Sequence, residues 1–150
     1  MDIQIKLYGN DHIELASSYE LFAKIKSSQL KYSEALEYYE KALKIKIDCF
    51  GDTHISVAKE LRNIGDTLTQ LRKFEEANQF YEKALKILID SLGLDHIEVA
   101  RTYKSQGYLF QAQGKFKAAK DTHILARELY HLYVGEENDK REKVEDQSFH

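Results

Sequence analysis

Apolar residues recur every three or four positions along most of this chain, in stretches separated by short polar segments. Between residues 51 and 92, two such stretches are formed by Ala58, Leu61, Ile64 and Leu68 and then by Phe74, Ala77, Tyr81 and Ala84. Apolar residues at this spacing lie on one face of an α-helix. Because only the short segment 71–73 separates the stretches, they predict a pair of antiparallel helices. The sequence contains no proline, which fits helices throughout.

The same pattern occurs three times, with a period of 42 residues. Glycine stands at positions 9, 51, 93 and 135, His-Ile begins at 12, 54 and 96, and Tyr39–Ile45 returns unchanged as Tyr81–Ile87. A period of this length is typical of stacked helical hairpins. We therefore predict an all-α fold of three antiparallel helix-pair repeats, at 9–50, 51–92 and 93–134.

The two ends of the chain depart from this repeat. Ile3, Ile5 and Tyr8 align with Ile45, Ile47 and Phe50, so we expect residues 1–8 to form the end of a preceding repeat helix. At the other end, nine of the fifteen residues from 136 to 150 are charged. Such a segment has little apolar surface to bury, and we expect 135–150 to be a charged, disordered tail.

Capping residues predict where the first helix of each repeat begins. Asp11, Thr53 and Asp95 can each act as an N-cap, because a short side-chain oxygen accepts a hydrogen bond from the free amides of the first turn. Glu14 and Glu98 follow three residues later and complete a capping box in the first and third repeats. We expect the first helices to begin just after these residues.

Small and aromatic residues recur at fixed positions of the repeat. The small residues are Ala23, Gly65 and Gly107 in the first helices, and the aromatic residues that open the second helices are Tyr32, Phe74 and Phe116. This pattern resembles the tetratricopeptide repeat, and a 42-residue period with Tyr-Glu-Lys-Ala-Leu in the second helix resembles the kinesin-light-chain type. The resemblance implies a right-handed α-solenoid. HEAT and armadillo repeats, with periods of about 40 to 47 residues, are the structural alternative, but the small-residue pattern favours the tetratricopeptide fold.

Composition limits the classes of function. The 150 residues include 22 Lys and Arg and 25 Asp and Glu, giving a net charge of −3 and a pI near 6.1. The chain as a whole therefore has no field that attracts nucleic acid. Cys49 is the single cysteine, which excludes an internal disulfide. No apolar run is long enough to span a membrane, and the sequence indicates a soluble, cytoplasmic protein with no membrane partner.

No motif indicates catalysis or a cofactor. The sequence contains neither Gly-x-Gly-x-x-Gly nor a P-loop. His12, His54 and His96 recur in register, but neighbouring repeats place equivalent residues at least about 8 to 10 Å apart, too far to share a metal ion. His123 stands where the first two repeats have tyrosine, and we expect it to pack at a helix interface. We predict no enzyme activity, no cofactor and no metal site.

The family resemblance implies that the first helices line a concave groove that binds a peptide. The peptide-binding residues predicted on that basis are Lys59, Arg62, Asn63, Asp66, Arg101, Lys104 and Tyr108. Lys59 and Arg62 are three residues apart, as are Arg101 and Lys104, so each pair shares one helix face. Four cations in one patch favour an acidic peptide. In the alternative interpretation, these are solubilising charges that pair with Glu20, Glu60 or Asp66.

The leading hypothesis is a non-catalytic scaffold or adaptor that holds a protein or peptide ligand. Two other functions stay open. The repeats can be the recruitment arm of a larger enzyme whose catalytic domain lies outside this chain. They can also form a homo-oligomer through the last second helix, because an uncapped apolar face favours association. The residues of that face are Leu125, Leu129, Leu132 and Tyr133.

Overall fold

A computed structural model of the protein describes the backbone from residue 9 to residue 148 and the side chains from 12 to 142. Within 9–148 there are six α-helices and no strand. They are α1 (Gly9–Ser28), α2 (Tyr32–Phe50), α3 (Ile55–Gln70), α4 (Phe74–Leu92), α5 (Ile97–Ala112) and α6 (Phe116–Ser148). The chain divides into two compact units, the first ending at Ile87 and the second beginning at Leu88, inside α4.

The turns inside the hairpins share one geometry at the same repeat position. Leu30, Arg72 and Gly114 lie 42 residues apart and all have positive φ, at 63°, 63° and 79°. In each turn the next residue donates its N–H five residues back, for example from Lys115 to the Phe110 oxygen at 2.8 Å. This bond satisfies a carbonyl at the helix end and closes a Schellman motif. The repeat in sequence is therefore also a repeat in backbone conformation.

In the first unit, helices approach closely where side chains are small. Ala23, Ala35 and Ala42 are fully buried in the α1/α2 hairpin, and α2 also packs against α3. Gly65 of α3 lies directly beneath the ring of Tyr81 from α4, such that a β-carbon on Gly65 would stand 2.6 Å from a ring carbon. The predicted small-residue position is thus a contact point between helices.

The second unit repeats this arrangement between α5 and α6. Gly107 lies beneath His123, whose ring a β-carbon on Gly107 would approach to 2.7 Å. Val99, Leu109 and Ala119 are buried around this contact. His123 therefore occupies the position that Tyr81 has in the first unit and packs at a helix interface.

Two features of the helix ends differ from the sequence prediction. The N-caps of α3 and α5 are His54 and His96, whose Nδ1 atoms accept hydrogen bonds from the amides two residues later at 3.1 Å. Thr53 and Asp95 are therefore not the N-caps, because the imidazole of the following residue accepts these hydrogen bonds. Helix α1 begins at Gly9 and already contains Asp11.

The expectation of a disordered tail also differs from the structure. Helix α6 continues through Gly135 to Ser148, and Gly135 does not adopt the positive φ that would end it. Glu, Lys and Arg are good helix formers, and Lys140 lies 3.6 Å from Glu137 one turn away. Residues 1–8, expected to end a preceding helix, lie outside the described residues.

Candidate functional site

The predicted groove residues of the first unit lie on the partly exposed side of α3. Lys59 is exposed, whereas Arg62, Asn63 and Asp66 are half-buried. Asn63 and Asp66 line a cavity of about 370 Å³, together with Ser27, Ser28, Tyr32, Tyr39, Thr67 and Gln70. This cavity is mainly polar, with hydroxyl, amide and carboxylate groups on its wall. It can hold a polar ligand segment or water.

Asp66 is engaged by the neighbouring helix. The buried Tyr81 hydroxyl donates to Asp66 Oδ1 at 2.6 Å and lies 3.4 Å from Thr69 Oγ1. Burial, followed by the negative charge of Asp66, raises the pKa of Tyr81. The phenol therefore stays protonated and donates to the carboxylate. Asp66 therefore both joins α3 to α4 and lines the cavity.

In the same unit, one lysine of α2 binds two glutamates from two other helices. Lys46 Nζ of α2 donates to Glu20 Oε1 of α1 at 2.9 Å and to Glu60 Oε1 of α3 at 2.8 Å. The side chain of Glu60 has no exposed area. In the alternative interpretation of the sequence, the groove cations are solubilising charges that pair with Glu20, Glu60 or Asp66. In the structure, Glu20 and Glu60 bind Lys46 instead.

Glu60 is the most perturbed acid of this cluster. Burial, with a hydrogen bond to Glu20, raises the pKa of the Glu60 carboxyl to about 8, although Lys46 opposes this. No described residue donates a hydrogen bond to its buried Oε2 atom. Burial also acts on Glu20, but hydrogen bonds to Glu60 and Lys46 outweigh it and lower the pKa of Glu20. Glu60 thus holds a proton next to an ionised Glu20.

The predicted residues of the second unit belong to a larger, cationic cavity. Arg101 and Lys104 of α5 line a cavity of about 480 Å³ with His123, Arg127 and Tyr130 of α6. Ile97, Ala100 and Ala126 form its apolar floor. No carboxylate stands among the described lining residues. An open cavity with three cations and an apolar floor is suited to a ligand that has both acidic and apolar groups.

The cations of this cavity differ in how far they are already paired. Arg101 Nη1 donates to Glu98 Oε1 at 2.8 Å, although its side chain is still 56% exposed. Lys104 and Arg127 are exposed and form no ion pair with another side chain in 12–142. Tyr108, which lies outside the cavity lining, is 54% exposed and meets the edge of His123 at 4.9 Å between ring centroids.

The structure places the four groove cations in two units. Lys59 and Arg62 lie on α3 in the first unit, and Arg101 and Lys104 lie on α5 in the second. Within the second unit it adds Arg127 and Tyr130, which sequence reasoning missed. The available signal was the spacing of 123, 126, 127 and 130, which places these residues on one face of the second helix. Because only the first helices were expected to bind a ligand, this face of a second helix was not predicted.

No described group points to metal or nucleophile chemistry. Among the described residues there is no cluster of three potential metal ligands. His54 and His96 have a structural role, since both cap helices, His54 stacks on Phe50, and His96 makes a tilted ring contact with Tyr133. Cys49 is exposed and unpaired by disulfide. None of the described helices has the length and apolar character needed to cross a bilayer.

Comparisons with known proteins agree with this architecture. A family model described as tetratricopeptide repeat matches residues 1–48 and 56–130. Among solved structures, the crystal structure of BtubC (BKLC) from P. vanneervenii, a kinesin-light-chain-like tetratricopeptide protein, is 29% identical with a TM-score of 0.70. The match covers 78% of this chain but only 46% of that one. No curated protein matches the sequence significantly.

Proposed function

Since the chain belongs to the tetratricopeptide repeat family, whose repeats generally mediate protein–protein interactions, we propose that it is a non-catalytic adaptor that binds an acidic, extended peptide. The all-α fold and the kinesin-light-chain type predicted from the sequence are confirmed. Each unit has a first helix that can hold such a peptide, α3 in the first unit and α5 in the second.

The exposed face of α5 carries the proposal. Arg101, Lys104 and Tyr108 are all exposed, and their spacing of three and four residues places them on one helix face. The residues between them, Thr102 and Gln106, are buried. An arginine can bind a carboxylate in fork geometry, and a lysine adds a point charge. Tyr108 offers an aromatic surface next to both.

The face of α3 supports the same ligand less strongly. Lys59 is exposed on it, one turn from Arg62, and Asn63 can donate or accept hydrogen bonds with a peptide backbone. Asp66 brings a negative charge into this part of the surface. We therefore propose that α5 binds the acidic residues of a ligand, and that the face of α3, taken by itself, offers Lys59, Arg62 and polar contacts to a peptide of the same kind.

The test measures how tightly acidic, aromatic-containing, non-helical peptides from a library bind the full chain. The same peptides are then measured against a double variant, Arg62→Glu with Arg101→Glu. Reversal of two charges is expected to weaken the best peptides by at least about tenfold, because like charges then face the ligand. Lys86→Glu with Lys117→Glu changes the net charge equally on exposed positions of the second helices and serves as control. Equal affinities for both double variants would contradict the proposal.

Self-association is a second candidate, favoured by two exposed leucines on α6. Leu125 and Leu132 are 38% and 56% exposed. The other two residues of the predicted apolar face are engaged, because Leu129 is buried and Tyr133 contacts His96. Light scattering over a range of concentrations tests this candidate, and a monomer throughout would remove it.

The remaining alternative is a recruitment arm of a larger enzyme. This alternative predicts that the full-length gene encodes a further, catalytic domain, and it predicts nothing about the helices described above. A full-length reading frame without any further domain would contradict it.

A further inference from the structure

The cationic cavity of the second unit has a counterpart in the first unit. Each residue that lines it stands 84 positions, or two repeats, after a residue of the α1/α2 hairpin. We use the name α5/α6 seat for its apolar floor and cationic rim. The floor is Ile97, Ala100 and Ala126, and the rim is Arg101, Lys104 and Arg127.

In the first unit, the corresponding surface holds a helix. Helix α3 packs against α2, and its Glu60 accepts a hydrogen bond from Lys46 Nζ at 2.8 Å with no exposed side-chain area. Ala16 and Ala42 are fully buried there, and the corresponding alanines of the α5/α6 seat, Ala100 and Ala126, are 4% and 6% exposed. The α1/α2 hairpin therefore receives a carboxyl group from a neighbouring helix at Lys46, the position that Tyr130 has in the α5/α6 seat.

The two surfaces have the same floor but different rims. The floor residues are identical in type, with Ile13, Ala16 and Ala42 in the first unit and Ile97, Ala100 and Ala126 in the second. At the rim, Ser17, Glu20 and Leu43 are replaced by Arg101, Lys104 and Arg127. The two hairpins therefore offer an incoming helix the same apolar side chains, although Ile13 is 38% exposed in the first, whereas the charge that the helix must carry is different.

The rim charges define what an incoming helix must offer. In the first unit, the charge of Lys46 is already neutralised by Glu20, so Glu60 lies next to an ion pair without net charge. In the α5/α6 seat no lining residue is acidic. Arg101 is paired with Glu98 outside the lining, but covering Lys104 and Arg127 with an apolar surface would leave these two without a counter-charge, which is costly. Tyr130 stands in place of Lys46 and has a hydroxyl that can donate to a carboxylate.

We propose that the α5/α6 seat is a docking site for an acidic amphipathic helix of a partner protein. Apolar side chains of that helix lie on Ile97, Ala100 and Ala126, and carboxylates meet Lys104 and Arg127. The site shares Arg101 and Lys104 with the extended-peptide surface proposed above, but it requires a helical ligand and adds Arg127 and Tyr130 of α6.

A second copy of this chain fits the site less well. The helix of a second copy that corresponds to α3 is α1, one repeat earlier. It has Ser18 where α3 has Glu60, so it would bring no carboxylate to this point. Charge complementarity therefore favours a different, acidic protein over self-association.

The probe is a stapled helical peptide with the sequence of residues 55–70 carrying Lys59→Glu and Arg62→Glu. It keeps the apolar face that fits the shared floor, and it keeps Glu60. Its binding to the full chain is measured by fluorescence anisotropy and compared with the variant Arg127→Glu. Lys117→Glu is the matched control, because Lys117 is an exposed cation of the same helix outside the cavity.

The expected result is saturable binding that Arg127→Glu weakens about tenfold or more and that Lys117→Glu leaves unchanged. Glu60→Gln in the peptide should weaken binding to the same unaltered chain. A proline-containing, non-helical peptide of equal charge should be insensitive to Arg127→Glu, which separates this site from the extended-peptide surface. Absence of binding, equal affinity for Arg127→Glu, or a concentration-dependent dimer that Arg127→Glu dissociates would each overturn the proposal.

Discussion

Glu60 is a carboxyl group that the fold holds in a buried place, between Glu20 and Lys46. Its pKa is raised from 4.5 to about 8, so the folded chain keeps a proton that the unfolded chain releases between these values. The free energy of unfolding due to this residue therefore falls as pH rises from about 5 to 8. Glu20, whose pKa is lowered, acts in the opposite direction, and its stabilisation is lost only at more acidic pH.

Replacing Glu60 by glutamine is expected to flatten this part of the pH profile. The carbonyl oxygen of the new amide can still accept from Lys46 and its nitrogen can donate to Glu20, so Glu60→Gln imitates the protonated acid. Urea midpoints of the parent chain and the variant should therefore be similar near pH 5, with the variant the more stable near pH 8. The exposed Glu40→Gln controls for the loss of one acid. Parallel profiles for parent and Glu60→Gln would refute the assignment.

Among single residues, the N-caps of α3 and α5 were not predicted correctly from the sequence. Thr53 and Asp95 have the usual side chains of an N-cap, yet His54 and His96 accept the hydrogen bonds. Likewise, Glu60 pairs with Lys46, fourteen residues earlier and on another helix. Local spacing predicts which residues share a face, but a choice between competing acceptors or distant partners depends on the packed geometry.

At the scale of the helix pair, Gly65 sets how closely α3 and α4 approach. A β-carbon there would stand 2.6 Å from the ring of Tyr81, which is 1% exposed and tied to Asp66. We expect Gly65→Ala to destabilise the chain by about 1–3 kcal/mol, as overpacking usually does.

Gly135→Ala provides the comparison for that substitution. Gly135 also lies inside a helix, but nothing stands within 4 Å of an added β-carbon. Alanine there is favoured by helix propensity but lies among exposed turns, so it should change the stability of the chain by less than about 0.5 kcal/mol. Chemical denaturation of both variants measures the difference, and a Gly65→Ala variant as stable as the parent would show that the contact with Tyr81 is not tight.

Helix pairs were the most predictable level of this molecule. The 42-residue period located the turns, because Leu30, Arg72 and Gly114 repeat one backbone conformation, and it located the small residue beneath each ring. The cationic cavity was only half predictable. Arg101 and Lys104 were found through the family resemblance, but Arg127 and Tyr130 lie on a second helix, and their role depends on which face of that helix stays uncovered.

For the whole molecule, the length of α6 raises the question of what its last turns contribute. Beyond Val134, the described side chains are exposed or nearly so. Their contacts are the exposed pair of Lys140 and Glu137 and an exposed contact of Glu136 with Asp95. Pairs of this kind contribute little to stability. In a repeat protein, stability comes from hairpins and their interfaces, and these turns belong to neither.

A chain ending at Val134 is therefore expected to have a free energy of unfolding within about 0.5 kcal/mol of that of the parent. Its far-UV circular dichroism should lose the signal of the removed helical turns. A chain ending at Glu128 is the contrast, since it also removes Leu129, which is 7% exposed in the second unit. Loss of that buried leucine and the turn that carries it should cost more than about 2 kcal/mol. Equal losses for both truncations would mean that the last turns of α6 support the fold through contacts beyond these exposed pairs.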